Sequence, residues 1–283
     1  MKIETAIKQA NTILKNNFIK SSLLDSELLI SKAINKNREY IILNLDKEIK
    51  EDDYLNFQRL VTERSQGKPM AYLIGKKYFW KYEFEIDGDV LIPRPDTELI
   101  IEQVLKIYKN KNRINFLDVG VGSGAILLSI LKEKKGFLGT GIDISNNCLN
   151  ICKKNAYKLE VYERVKLFKS NIDNFTKGKY DLIISNPPYI NKVDLNRLDD
   201  DVRLFEPRLA LYGGITGFDE IKKIIEKSSK LLKYKGKLII EIGEKQKNHI
   251  VKILQKNGFY IKKICKDFSG KDRCLVSTKL TNE

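Results

Sequence analysis

The sequence predicts a doubly wound α/β domain preceded by a small all-helical unit, with a β-hairpin between them. Three observations carry this prediction. From about residue 113 onward, short apolar runs rich in Val, Ile, Leu and Phe alternate with helical periodicity. Residues 1–68 show helical spacing alone. Between the two, Tyr72, Tyr78, Phe79, Trp80, Tyr82 and Phe84 cluster beside an Asp87-Gly88 turn signal.

In the N-terminal unit, Ile3, Ala6, Ile7, Ala10, Ile13 and Leu14 repeat at helical spacing over 3–17. Leu28, Leu29 and Ala33 continue the pattern. Tyr54, Leu55, Gln58, Leu60 and Val61 define a third helix over 51–65, closed by Gly67 and Pro69. Periodicity leaves the role of this unit open between a solubilising cap and a docking module. Residues 69–95 read as the hairpin linker, turning at Asp87-Gly88 and returning through Val90-Leu91-Ile92, with Pro93-Arg94-Pro95 stiffening its exit. Asp96 or Thr97 is positioned to cap the helix that carries Leu99, Ile100, Val104, Leu105 and Tyr108.

Residues 96–283 hold seven expected strands: 115–119, 139–144, 165–168, 180–185, 237–241, 260–264 and 273–277. Helices are expected from Ala125, over 147–157, over 217–232 and over 249–257. The last two strands close the sheet, with antiparallel pairing as one option.

Composition excludes several functions. No window approaches the roughly 18 apolar residues a membrane-spanning helix needs, and Met1-Lys2-Ile3-Glu4-Thr5 lacks the apolar core of a signal peptide. The expected location is the cytoplasm. Cys148, Cys152, Cys265 and Cys274 form no Cys-x-x-Cys pair, and the single His249 completes neither a zinc site nor a nucleophile–His pair, so no metal is expected. The formal charge of +15 is compatible with a nucleic-acid or ribosomal partner. It is spread, however: 14 Lys/Arg against 10 Asp/Glu in the first 80 residues, 38 against 27 in the rest. Charge alone therefore names no partner.

Two motifs carry chemistry. Gly120-Val121-Gly122-Ser123-Gly124 lies between the first strand of the α/β domain and its helix, where glycines allow a tight turn and bring backbone N–H groups close to a ligand. Asp143 ends the next strand, at the distance from which an acid accepts hydrogen bonds from ribose hydroxyls. These features fit both a dinucleotide fingerprint and an S-adenosylmethionine (SAM) loop. The second motif, Asn186-Pro187-Pro188-Tyr189, follows the strand 180–185. Two prolines end the ladder abruptly and leave an Asn side chain, rigid carbonyls and an aromatic ring at the strand's carboxyl end. Asn-Pro-Pro-Tyr resembles the active-site motif of SAM-dependent methyltransferases acting on amide-like or exocyclic amino nitrogens. Such a nitrogen has a delocalised lone pair. The Asn186 side-chain oxygen and the Pro187 carbonyl can each take one of its N–H groups and turn its face toward the methyl donor. Tyr189 can pack against a flat substrate group.

More of the chain narrows the resemblance. Gly75 to Trp80, Leu91-Ile92-Pro93-Arg94-Pro95-Asp96-Thr97-Glu98, Glu206-Pro207-Arg208-Leu209-Ala210-Leu211, Glu241-Ile242-Gly243-Glu244-Lys245-Gln246 and Asp267 to Arg273, with both motifs, resemble the peptide chain release factor N5-glutamine methyltransferases, the HemK/PrmC family. The resemblance runs from about residue 20 to the C-terminus. It implies a Rossmann-like methyltransferase domain and transfer of a methyl group from SAM to the glutamine of a Gly-Gly-Gln loop in class I release factors. It maps cofactor contacts onto Gly120, Val121, Gly122, Ser123, Gly124, Asp143 and Asn186, with an adenine-side contact at Asn171 or Ile172. It maps glutamine contacts onto Asn186, Pro187, Pro188 and Tyr189, of which Asn186, Pro187 and Tyr189 are expected to be catalytic. Residues 1–68 then become the docking domain and 96–283 the catalytic one, in a monomer that needs no direct nucleic-acid contact. Two positions depart from the family pattern: Val121 replaces the usual loop Thr, and Asn171 stands where an Asp is common.

Two charged pairs stay open. Arg94 and Glu98 are either a solvated hinge and a first-turn helix charge or groups that close over the cofactor. Glu206 and Arg208 either touch substrate or, as expected here, pair with each other and fix the loop after Tyr189. The alternative activity is methylation of an amino group in RNA or DNA.

Overall fold

Parallel strands covered on both faces need continuous apolar runs. Phe116-Leu117, Leu182-Ile183-Ile184 and Leu238-Ile239-Ile240 supply them, each fully buried. In the computed structural model, which describes residues 1–280, these runs form the centre of a seven-stranded sheet.

The described residues fall into two compact units, 1–76 with 199–205, and 77–198 with 206 onward. The first unit is helical: α1 (Ile3–Asn16), α2 (Ser22–Ala33), α3 (Arg38–Leu43), α4 (Glu51–Ser65) and α5 (Met70–Ile74). Its core gathers Ile3, Ile7 and Leu14 of α1, Leu29 and Ile30 of α2, Ile41 of α3, and Phe57, Leu60 and Val61 of α4. Two expectations shift by a helix face. Ile13 and Leu55 point outward, and Phe57 takes the inward position. An ion pair between Arg64 and the buried Asp25, at 2.7 Å, ties α4 to α2.

A hairpin, β1 (Lys76–Phe79) and β2 (Tyr82–Glu85), starts at the boundary and opens the second unit. Its turn is at Trp80-Lys81, not at the expected Asp87-Gly88, and Val90-Leu91-Ile92 forms no strand. Trp80 adopts a left-handed backbone (φ 57°). That conformation is unusual for a bulky residue, and distant acceptors hold it. Glu98 takes its backbone N–H at 2.7 Å and Glu133 its indole N–H at 2.9 Å. Asp87 instead makes a local side-chain turn with the Asp89 N–H.

Then follow α6 (Glu98–Ile107), β3 (Asn115–Val119), α7 (Ala125–Glu133), β4 (Leu138–Asp143), α8 (Asn146–Lys158), β5 (Val165–Lys169) and β6 (Tyr180–Ser185). After short helical turns come α9 (Asp219–Leu231), β7 (Leu232–Glu241), α10 (Lys247–Lys256), β8 (Phe259–Lys266) and β9 (Asp272–Lys279). The sheet order is β5-β4-β3-β6-β7-β9-β8. Strands β3 to β7 run parallel, and β9 is antiparallel to both β7 and β8. All seven expected strands are therefore present, and the closing pair is antiparallel. The order reverses beside β3, between β4 and β6. That is the switch point where such sheets open a crevice. One apolar cluster, with the hairpin, α6, α7 and α8, covers one face of the sheet, and another, with α9 and α10, covers the other. Among the described residues, no helix is long and apolar enough to cross a membrane.

Candidate active site

A cleft of about 290 Å³ opens at the carboxyl ends of β3, β4, β5 and β6. Gly120 and Gly122 after β3, Asp143 at the end of β4, Asn171 and Ile172 after β5, and Asn186, Pro187 and Pro188 after β6 all line it. Val121, Ser123, Gly124 and Tyr189 do not. Val121 is buried in the core. Ser123 is buried, and its carbonyl accepts the Asn155 side-chain N–H at 2.9 Å. Gly124 leads into α7 with φ 82°, pressed against Cys152 and Leu128. Leu91 and Ile142 add apolar wall.

The loop after β3 is shaped by its own backbone. Gly120 and Gly122 have φ of 75° and 52°, and an added Cβ at either would meet nothing within 4 Å. Conformation, not space, demands glycine there. The loop's N–H groups are largely turned inward, against the expectation that they would face a ligand. Those of Gly120 and Val121 go to the Ile142 carbonyl, at 2.9 and 3.0 Å, and that of Gly124 goes to the Val121 carbonyl. The Gly122 N–H is donated to the Asp143 carboxylate at 3.0 Å. Asp143 takes a second N–H, from Ser145, on its other oxygen at 2.9 Å. The Ile144 N–H and the Cys148 thiol also favour the charged carboxylate. Burial raises the Asp143 pKa, and these bonds oppose the rise. Asn171 accepts the Asn174 N–H on its side-chain oxygen.

The tetrapeptide is shaped by distant partners. The Ile190 N–H is donated to the Leu211 carbonyl at 3.0 Å, and the Gly213 N–H to the Ile190 carbonyl at 2.9 Å. Gln246, with 8% of its surface exposed, donates to the Tyr189 carbonyl at 3.0 Å. A Cβ on Gly213 would lie 2.6 Å from the Pro188 carbonyl oxygen, closer than real Cβ atoms come, so glycine is required there for space. The Asn186 side-chain nitrogen donates to the Thr97 hydroxyl at 3.0 Å, and that hydroxyl donates to Glu241 at 2.7 Å. Tyr189 turns its hydroxyl toward the other Glu241 oxygen, at 3.4 Å. Burial, followed by the Glu241 charge, pushes the Tyr189 phenol well above its ordinary range.

Four readings of the charged and capping residues are corrected or decided here. Thr97 makes no side-chain cap for α6, because its hydroxyl is committed to Glu241. Glu206 pairs with Arg94 rather than Arg208 and also takes the Ile92 N–H. Arg208 lies over the Tyr212 ring instead. Glu98 anchors the hairpin turn through Trp80. Neither Arg94 nor Glu98 lines the cleft. Sequence reasoning assigned no role to Thr97 beyond capping and none to Glu241, Gln246 or Asn155. The only prior signal was that Thr97, Glu241 and Gln246 fall in segments carrying the family resemblance.

A doubly wound sheet with an Asp-tipped β4, a glycine loop and an Asn-Pro-Pro-Tyr end to β6 defines a Rossmann-like methyltransferase. Solved structures agree on the fold. A ribosomal protein L11 methylase from Lactobacillus delbrueckii subsp. bulgaricus superposes with TM-score 0.52 at 20% identity, over 69% of this chain and 84% of that one. A tRNA m1G37 methyltransferase from M. jannaschii superposes with TM-score 0.53 at 15% identity, over 74% and 57%. Family models match the PrmC N-terminal domain at residues 5–75 and the methyltransferase small domain at residues 95–199. The release factor glutamine methyltransferase of Clostridium acetobutylicum is 35% identical over 99% of both chains. That of Clostridium botulinum is 37% identical over 94% of this chain and 95% of the relative. The chain belongs to the release factor glutamine methyltransferase family.

Proposed function

We propose that this enzyme transfers a methyl group from SAM to the side-chain amide nitrogen (N5) of the glutamine in the Gly-Gly-Gln loop of class I peptide chain release factors. The observation that carries the reading is the orientation of Asn186. Its NH₂ is engaged by Thr97 at 3.0 Å, so its carbonyl oxygen is the end of the amide left for a substrate in the cleft that Asn186 lines. An acceptor there, with the Pro187 carbonyl beside it, suits a primary amide that offers two N–H groups. A cleft presenting a donor would repel one.

The residues present suit SAM. Asp143 lines the cleft as an acceptor for ribose hydroxyls, and Gly120 and Gly122 leave open space where any side chain would stand. Leu91, Ile142 and Ile172 offer apolar walls for a flat base, with Asn171 at its edge. When bound, SAM supplies an electrophilic methyl group on a sulfonium. Asn186 and Pro187 hold the amide N–H groups so that the nitrogen's face is presented, and their partial negative charge favours positive charge developing on that nitrogen. The rigid prolines keep both acceptors still. Residues 1–68 serve as the docking domain for the release factor. The protein acts as a cytoplasmic monomer without direct contact to nucleic acid.

The test is methyl transfer from labelled SAM to purified release factor, beside a release factor whose Gly-Gly-Gln glutamine is replaced by Ala. Label on the first and none on the second is expected. Label on neither, or on RNA or DNA acceptors in its place, overturns the reading.

A further inference from the structure

The orientation of Asn186 has a cause, and that cause titrates. Thr97 and Glu241 are both buried, with 4% and 2% of their surfaces exposed. An ionised carboxylate only accepts hydrogen bonds. The 2.7 Å contact from Thr97 to Glu241 therefore uses the single hydroxyl proton of Thr97. What remains on that oxygen is acceptor, and it takes N–H from Asn186 at 3.0 Å. The chain of bonds has one direction while Glu241 is charged. A Glu241 protonated on the oxygen that faces Thr97 reverses it. The acid donates to Thr97, Thr97 donates to the Asn186 carbonyl, and the Asn186 NH₂ turns to the cleft.

Resting on the glutamine reading above, we propose that Glu241, acting through Thr97, is the positioning residue that sets which end of the Asn186 amide meets the substrate. The charged state presents an acceptor to the substrate N–H, and the neutral state presents a donor. Methyl transfer therefore requires Glu241 ionised.

The surroundings of Glu241 support a switch in the accessible range. Burial pushes its carboxyl up to about 7, while Thr97 and Arg273 pull the other way. Arg273 is committed to Asp267 at 3.0 Å and faces Asp96 at 3.8 Å. Asp96 raises the Glu241 pKa further. Tyr189 is held neutral, its pKa raised by burial. Cys274, opposite Glu241 in the β7–β9 register, is held as a thiol by its bond to Cys265 and by burial. Cys265 itself is lowered to about 7 by that same bond, so it needs a control.

Two measurements test this. The first uses the ¹⁵N-labelled protein alone, without substrate. The Asn186 side-chain NH₂ resonance, assigned by its loss in Asn186→Ala, should shift with a midpoint near pH 7. It should be flat in Glu241→Gln and Thr97→Val, and should titrate normally in Cys265→Ser. A flat wild-type resonance overturns the proposal. The second is the pH dependence of kcat on release factor. The wild-type rate should rise with pH through the same midpoint. Glu241→Gln and Thr97→Val should each lower kcat about 100-fold with SAM affinity unchanged, and Thr97→Ser should restore both rate and profile. Wild-type kcat in Thr97→Val overturns the proposal even if Glu241→Gln fails to fold. Absence of any transfer by the wild type counts against the release-factor reading. The resonance experiment decides the Glu241 proposal independently.

Discussion

The glycine loop after β3 and the tetrapeptide after β6 lie at the ends of neighbouring strands, yet they are built by opposite means. The loop is held from the end of the adjacent strand, by the Ile142 carbonyl and the Asp143 carboxylate. The tetrapeptide is held by the Leu211–Gly213 turn and by side chains from far along the chain: Thr97, Glu241 and Gln246. Its glycine requirement differs too. Gly122 is needed for its left-handed backbone, Gly213 for the space its Cβ would take from Pro188. A cofactor shared across many chemistries can be gripped by a self-contained loop. Orienting one amide nitrogen requires a precise hydrogen-bond direction, and that direction comes from elsewhere in the fold.

The largest expected effect breaks the tetrapeptide side alone. Asn186→Ala removes the oriented acceptor and leaves Asp143 and the glycine loop intact. Methyl transfer should fall by about 10²- to 10³-fold in kcat, the usual cost of losing one preorganised group that stabilises developing charge. SAM affinity, read by calorimetry, should change little. Equal loss in both would mean that the two halves of the cleft are not separable. Wild-type kcat would remove Asn186 from the reaction.

The same contrast explains how much was legible in the sequence. The sheet was, because buried parallel strands must be apolar throughout, and each of the runs 115–119, 180–185 and 237–241 carries that mark locally. The loop, Asp143 and the Asn-Pro-Pro-Tyr motif were, because glycine and proline act on their own backbone. The hairpin turn was not. Asp87-Gly88 has the composition of a turn, while Trp80-Lys81 turns because Glu98 and Glu133 capture Trp80. Thr97 was read as a cap for the same reason. Its position before α6 is a local signal, whereas its bond to Glu241 spans 144 residues of sequence. Glu206 likewise passes over Arg208, two residues away, for Arg94, 112 residues back. Sequence proximity finds partners within one element and misses those that the sheet topology brings together.

An intermediate effect sharpens the comparison from the loop side, where one side chain does reach in. Asn155 is fully buried on α8. It accepts the Glu85 N–H at 2.7 Å and donates to the carbonyls of Glu85 and Ser123, both at 2.9 Å. Asn155→Ala strands three backbone groups. At about 1 kcal/mol per bond it should cost about 3 kcal/mol of stability, seen as a lower denaturation midpoint with unchanged slope. Because Ser123 belongs to the loop, SAM affinity should weaken while kcat at saturating SAM stays near wild type. A selective loss of kcat would show that the loop also governs the transfer half.

The smallest effect comes from Ser145, whose hydroxyl caps α8 by accepting the Cys148 N–H at 3.3 Å. Its backbone N–H separately holds Asp143. Replacing Ser145 with Ala removes the cap and keeps the backbone bond. If the Ser145 hydroxyl plays no part in holding Asp143, Ser145→Ala should cost only about 1 kcal/mol, a drop of roughly 2–4 °C in Tm. SAM affinity and kcat should both stay at wild-type levels. A tenfold loss of SAM affinity at that small stability cost would mean that the hydroxyl itself positions Asp143. The cofactor half would then depend on a third side chain besides Asp143 and Asn155, and the contrast between the two ends of the cleft would be one of degree.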